Sequence, residues 1–231
     1  MIEAVIFDMD GVLVDSEVLK AEGWEKGLLE KYGIKEGGKW YLQIVGGPRD
    51  ELSRKTIERF NLPLNPNSEQ DLEELFQTIR APYEKRLKER DPLPIESSIK
   101  FLKSLPRDKV KIGLASSEYL DRIIEHLDLM RITSCFDAIF SGMNHIDNDR
   151  ERKPHPKVYL LTAKELGVEP GKCVVIEDSY TGVEAARRAG MKCIGYENPN
   201  SGNQDLSRAD FTTNNLSQLT IEVLNGELFG N

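Results

Sequence analysis

The 231-residue sequence has three cysteines, three histidines and no long apolar run, and each shortage removes a class of protein. Cys135, Cys173 and Cys193 are odd in number and share no C-x-x-C spacing, which speaks against a disulfide framework or a zinc site. Cys173 and Cys193 lie beside strand-like runs and read as small buried hydrophobes. His126, His145 and His155 form no H-x-x-x-H pair, and each reads as a packing or surface residue. No stretch approaches the roughly 20 apolar residues that span a bilayer. Acids break the first apolar run early, so no secretory segment is expected and the expected location is cytoplasmic. The charge of -8, from 31 basic and 39 acidic residues mixed along the chain, leaves no basic stripe for nucleic acid or anionic membrane. Also missing are G-x-x-x-x-G-K-[ST] and G-x-G-x-x-G, the common nucleotide fingerprints, and the calcium loop of an EF-hand, because Gly11 follows Asp10 directly.

What is present is a hydrophobic fraction of 39%, enough for the core of one large domain or two smaller ones. Apolar runs recur at Ala4 to Phe7, Val110 to Ala115, Ala138 to Phe140, Cys173 to Ile176 and Lys192 to Tyr196, with helix-patterned segments between most of them. This alternation predicts an α/β fold, a Rossmann-like parallel sheet with helices on both faces. From about Glu17 to Arg90 the alternation stops. Ala21, Trp24, Leu28 and Tyr32 make one helical stripe, and Leu72, Leu75, Phe76, Ile79, Tyr83 and Leu87 another. Each helix must bury such a face against its neighbours, so an inserted helical domain is expected over 16–91, with 1–15 and 92–231 forming the α/β core. Asp15-Ser16 and Asp91-Pro92-Leu93-Pro94 would be the two crossings, and an insert tethered at both ends can rock as a lid.

In an open parallel sheet, ligands bind outside the carboxyl ends of the strands. The first apolar run is followed by Asp8-Met9-Asp10-Gly11, the second by Ser116-Ser117 and the fourth by Glu177-Asp178. One acid would suffice for a turn. Two at i and i+2 repel unless a cation intervenes, and Mg²⁺ is the usual choice among oxygen ligands. Arg152-Lys153-Pro154-His155-Pro156 precedes a helical pattern over Val158 to Gly167, and its prolines keep the lysine out of the helix. Taken singly, Lys153 would be a surface lysine and Ser116 a turn residue. Converging, the carboxylates, hydroxyls and lysine suit phosphoryl transfer.

On these residues the sequence resembles the haloacid dehalogenase-like hydrolase superfamily. Asp8-x-Asp10-Gly11 with Asp15-Ser16 is similar to its first motif, Ser116 to its second, Lys153 to its third and Glu177-Asp178 to its fourth. Ile176 to Ala186 resembles the β-phosphoglucomutase-like branch, whose helical cap follows the first motif. The resemblance implies Asp8 as nucleophile and Asp10 as acid and base. It implies Ser116, with Ser117 beside it, and Lys153 around the phosphoryl group. Mg²⁺ would rest on the Asp8 carboxylate, the Asp10 backbone carbonyl and the acids Glu177 and Asp178. Val45-Gly46-Gly47-Pro48-Arg49 resembles the substrate loop of the cap, with Arg49 suited to a distal anionic group and Gly46 and Gly47 beside it. Gly182, Ala185, Ala186 and Ala189 are expected to form a small-residue packing face.

Three departures matter. β-Phosphoglucomutase has a histidine near the position of Lys20 and an asparagine where this chain shows Glu118-Tyr119-Leu120, and both weaken a mutase reading; the family's third motif often reads K-P-x-P-D, and Lys157 in place of that acid bears on helix capping more than on chemistry. The expected function is therefore a Mg²⁺-dependent phosphatase acting on a small phosphorylated metabolite, a sugar or polyol phosphate, through an aspartyl-phosphate. A sugar phosphomutase and a non-catalytic phospholigand binder are the alternatives. The composition sets no oligomeric state, and a monomer fits it.

Overall fold

The central strands of a parallel sheet are covered on both faces, which is why they read as near-continuous apolar runs. The computed structural model describes residues 1–45, 49–89, 93–146 and 148–230, with the backbone alone for 87–89 and 149. Gly46, Gly47, Pro48, Asp91, Pro92 and the Leu87 side chain, all named above, lie outside the described residues.

Six described strands form one parallel sheet: β1 (Ala4–Phe7), β2 (Lys111–Ser116), β3 (Ala138–Ser141), β4 (Cys173–Glu177), β5 (Lys192–Tyr196) and β6 (Phe211–Thr213). Their order is β3-β2-β1-β4-β5-β6. The sequence reading missed β6, a three-residue edge strand with no fully buried side chain and so no apolar run to betray it. The order reverses at β1, where Phe7 stands in register with Leu114 on one side and Ile176 on the other. Such a reversal opens a crevice at the carboxyl ends of the strands.

Period-two alternation along β1 sends Val5 and Phe7 to one face and Ala4 and Ile6 to the other. On the first face they pack with α5 (Glu96–Ser104), α6 (Leu120–Leu129) and α9 (Ile221–Phe229), through residues such as Phe101, Ile123 and Leu224. On the second they meet α7 (Lys157–Leu166) and α8 (Tyr180–Arg188), through Tyr159, Ala163, Val183 and Ala186. Ala185, Ala186 and Ala189 are buried in this second layer, as their spacing leads one to expect. Gly182 is buried too, and it lets α8 approach the site itself: the space beside it is filled by the Glu177 carboxylate, which a Cβ there would overlap.

By its contacts the chain divides into two units. Met1–Asp15, Pro92–Pro199 and Gln204–Asn231 make the first, and Ser16–Asp91 with Asn200–Asn203 make the second. The four residues from Asn200 to Asn203 thus group with the helical unit and not with the α/β unit, to which the sequence reading gave all of 92–231. The reason is local: at Gly202 a Cβ would stand 2.8 Å from the Leu42 carbonyl oxygen and would overlap Val45. Within the helical unit, α1 (Ser16–Tyr32), α2 (Gly37–Ile44), α3 (Arg49–Phe60) and α4 (Glu69–Glu89) bury Ala21, Trp24, Leu28, Tyr41, Ile57, Leu72, Leu75 and Ile79 together. Trp24 stacks on Tyr41 with ring centroids 5.1 Å apart. No described helix is long and apolar enough to cross a membrane.

Candidate active site

Past the end of β1 the chain stays tied to the sheet for one more residue, because the Asp8 amide donates to the Ile176 carbonyl at 3.0 Å. It then folds into a tight loop, with the Leu13 and Val14 amides both donating to the Met9 carbonyl and Gly11 at φ 78°, a backbone state glycine adopts without strain. The Asn198 side chain donates to the Gly11 carbonyl at 2.9 Å from the far end of β5. The loop leaves through Asp15, whose amide donates to the Leu93 carbonyl at 2.8 Å, so the outgoing and returning chains run side by side. This arrangement holds Asp8 almost fully buried at the reversal point and Asp10 half-buried beside it.

Lys153 arrives between the β1 and β4 ends and is itself buried, its side chain 7% exposed. Its ammonium donates to Asp8 Oδ1 at 2.5 Å, to Glu177 Oε1 at 2.7 Å and to the Ala115 carbonyl at 3.1 Å. A lysine that reads as solvent-exposed when considered alone is thus the central cation of the site. Burial by itself would lower the Lys153 ammonium, but the two carboxylates overcompensate and hold it above its ordinary value.

Glu177 is saturated. Oε1 accepts from Lys153 and from the Tyr159 hydroxyl at 2.6 Å, and Oε2 accepts from the amides of Asp178 and Ser179, both at 3.1 Å, and from Ser179 Oγ at 2.9 Å. Ser179 also caps α8, accepting from the Gly182 amide at 3.1 Å. Burial pushes Glu177 up, yet Lys153 and these donors outweigh it and bring its carboxyl below the usual range. Asp8 goes the other way. Burial raises it to about 8 against the pull of Lys153, and the charges of Glu177 and Asp10 add to the rise.

Asp8, Glu177 and Asp178 are all buried and offer carboxylate oxygens within 4.8 Å of one another. Hard oxygen donors of this kind suit Mg²⁺. One ammonium faces three carboxylates, so a divalent cation would balance the charge and restore the Asp8 anion. Asp8, Glu177 and Asp178 are the described acids placed to share such an ion. The Asp10 carboxylate is not part of this trio.

Ser116 ends β2 fully buried, and its Oγ accepts from the Glu118 amide at 3.0 Å, which leaves the hydroxyl hydrogen to be donated. Ser117 is exposed. Beyond it Tyr119 caps α6 without a side-chain bond. The Leu120 amide instead finds Asn144 Oδ1 at 2.8 Å, an asparagine supplied from the loop after β3. Lys157 opens α7 and pairs with Glu151, without capping the helix. Arg49 opens α3 half-exposed, 3.0 Å from Glu73 and 4.8 Å from the Phe76 ring, while Lys20 pairs at 2.6 Å with the buried Glu17. Arg80 pairs with Glu84 at 2.6 Å.

The sequence reading missed Tyr159, Ser179 and the Ala115 carbonyl. Ser179 carried a signal, since a serine three residues before Gly182 is a common helix cap. Tyr159 carried none, because it falls on the apolar face of α7 and reads as core.

A parallel sheet whose strand order reverses at a buried carboxylate, with a lysine across it and an acidic trio beside it, is a Rossmann-like α/β core with its site at the carboxyl ends of the strands. The chain belongs to the haloacid dehalogenase-like hydrolase family, which it matches over residues 5–196, and is a hydrolase of the phosphoric-monoester class. It is 33% identical to a phosphorylated-carbohydrates phosphatase of Thermotoga maritima over 83% of each chain. It is 30% identical to a fructose-1-phosphate phosphatase of Escherichia coli, over 82% of this chain and 94% of that one. Among solved structures, a β-phosphoglucomutase from Clostridium difficile superposes with a TM-score of 0.71 at 29% identity, covering 98% of this chain and 97% of the other.

Proposed function

We propose that this chain is a Mg²⁺-dependent phosphatase that hydrolyses a small sugar or polyol phosphate through an aspartyl-phosphate on Asp8. The observation that carries the reading is the Lys153 ammonium seated between Asp8 and Glu177, where it can neutralise incoming phosphoryl oxygens without leaving its anchors. The substrate class is supported by relatives named for phosphorylated carbohydrates and fructose 1-phosphate.

In this scheme an Asp8 oxygen attacks phosphorus, the bond from phosphorus to the alcohol oxygen breaks, and the Asp10 carboxyl gives its proton to the departing alkoxide. Asp10, now a carboxylate, takes a proton from water as that water attacks phosphorus. The bond to Asp8 then breaks, releasing phosphate and regenerating the Asp8 carboxylate. Ser116 donates its hydroxyl to a phosphoryl oxygen, and Lys153 holds a second. Asp8, the Asp10 carbonyl and the acids Glu177 and Asp178 would hold Mg²⁺, which supplies charge neutralisation for a dianionic substrate. Arg49 is assigned to the distal part of the substrate.

The similarity to a β-phosphoglucomutase keeps a sugar phosphomutase as the second reading. The changed residues Lys20 and Glu118-Tyr119-Leu120 favour hydrolysis. A panel of phosphorylated metabolites, with an aryl phosphate as control, tests both. Phosphate release that stops with chelator and returns with Mg²⁺ but poorly with Ca²⁺ is expected, and Asp8→Asn should lower turnover by orders of magnitude while the fold persists. No turnover across the panel would favour a non-catalytic binder. Rapid conversion of β-glucose 1-phosphate to glucose 6-phosphate with little phosphate released would favour the mutase.

A further inference from the structure

One buried polar side chain touches both members of the central ion pair and has no part in the scheme above. Tyr159 lies on α7, fully buried, with its hydroxyl 2.6 Å from Glu177 Oε1 and its ring 4.8 Å from Lys153 Nζ. Packing alone does not call for the hydroxyl, since phenylalanine would fill the same space with no polar atom to satisfy.

We propose that Tyr159 is a positioning residue, whose hydroxyl fixes the Glu177 carboxylate and so sets how strongly Glu177 competes with Asp8 for the Lys153 ammonium. The inference rests on the phosphatase reading in so far as Lys153 is the group that meets the phosphoryl oxygens.

The two donors to Glu177 Oε1 are Lys153 and Tyr159, and they share one oxygen's charge. Oε2 is held by Ser179 and two amides, so the carboxylate cannot turn to follow a moving ammonium. With the hydroxyl in place, part of the Oε1 charge is already engaged, and Lys153 remains shared with Asp8. Without it Oε1 keeps a single donor, and the ammonium is drawn toward Glu177 and away from the reacting oxygen.

The test is Tyr159→Phe in the full chain with Mg²⁺, assayed on an aryl phosphate. Loss of a buried hydrogen bond to a charged acceptor predicts a fall in kcat of about tenfold or more, with KM changed by less than about threefold, in a protein that still folds cooperatively but melts below wild type. In a Glu177→Gln background the same substitution should change kcat by less than about twofold, because the carboxylate through which it acts is gone. Crystal structures of wild type and Tyr159→Phe supply a readout independent of turnover, and the variant should show Lys153 Nζ displaced from Asp8 Oδ1 toward Glu177. If wild type hydrolyses nothing, the phosphatase reading falls and the Lys153 displacement alone decides this inference. Wild-type kcat in an active enzyme, a loss that adds fully to that of Glu177→Gln, or an unmoved Lys153 would each overturn it.

Discussion

Gly182 occupies the first turn of α8 directly against the Glu177 carboxylate, and a methyl group there would overlap both carboxylate oxygens. The obstacle is a buried, fully hydrogen-bonded group that cannot rotate aside. Gly182→Ala must therefore move Glu177 or the start of α8, although alanine is the better helix former by about 1 kcal/mol. Overpacking of this kind costs about 1–3 kcal/mol. Because Glu177 holds Lys153, turnover should fall together with stability, and denaturant titration paired with aryl phosphate kinetics measures both. Unchanged kinetics in a folded Gly182→Ala protein would mean that the Glu177 seat does not govern Lys153. At this scale the acids and Lys153 were legible in the sequence, because charged residues beside strand ends stand out against apolar runs. Tyr159 was not, since its partner lies 18 residues away across a layer that no periodicity reports.

Among the helices, α1 and α4 approach closely because Gly23 and Gly27, one turn apart, face the second helix. A Cβ on Gly27 would lie 2.5 Å from the Thr78 carbonyl oxygen and 3.1 Å from Ile79 Cα, and one on Gly23 would lie 2.7 Å from Tyr83 Cβ. Backbone atoms cannot yield as a flexible side chain can. Gly27→Ala should accordingly destabilise the helical unit by about 1–3 kcal/mol despite its gain in helix propensity, read as a lower denaturant midpoint or melting temperature. A variant at least as stable as wild type would show that the two helices can separate at no cost. The apolar stripes of α1 and α4 were readable from their spacing, and the residues at their centres are buried as expected. The glycines that set the distance between the helices look, in sequence, like weak points in a helix.

For the molecule as a whole, the raised Asp8 carboxyl links stability to pH. Its ordinary value is 3.8 and its folded value about 8, so across that window the folded protein holds a proton that the unfolded chain has lost. Stability then falls as pH rises through the window. Glu177 acts in the opposite sense, its contribution being present above its ordinary value and lost as pH falls through its lowered one. A divalent cation held by Asp8 would displace its proton, so the rise in melting temperature on adding Mg²⁺ to chelator-treated protein should grow between about pH 5 and about pH 8. Thermal unfolding at several pH values with and without Mg²⁺ measures this. A Mg²⁺ effect that is flat with pH, or larger on the acid side, would remove Asp8 from the metal site.

Local periodicity and strand-end position are properties of short segments, which is why the α/β class, the helical stretch and the acids Asp8, Glu177 and Asp178 with Lys153 could be read from the sequence. It could not report the three-residue edge strand β6, which has no buried run to mark it. What each charged group experiences depends on the folded chain. Glu177 takes hydrogen bonds from Lys153, Tyr159 and Ser179, which lie 24, 18 and 2 residues away in the chain. Asp8 is raised and Glu177 lowered by the same buried surroundings, according to how many donors each one meets. Burial and donor count depend on side chains brought together from distant parts of the chain, and no segment of the sequence contains them.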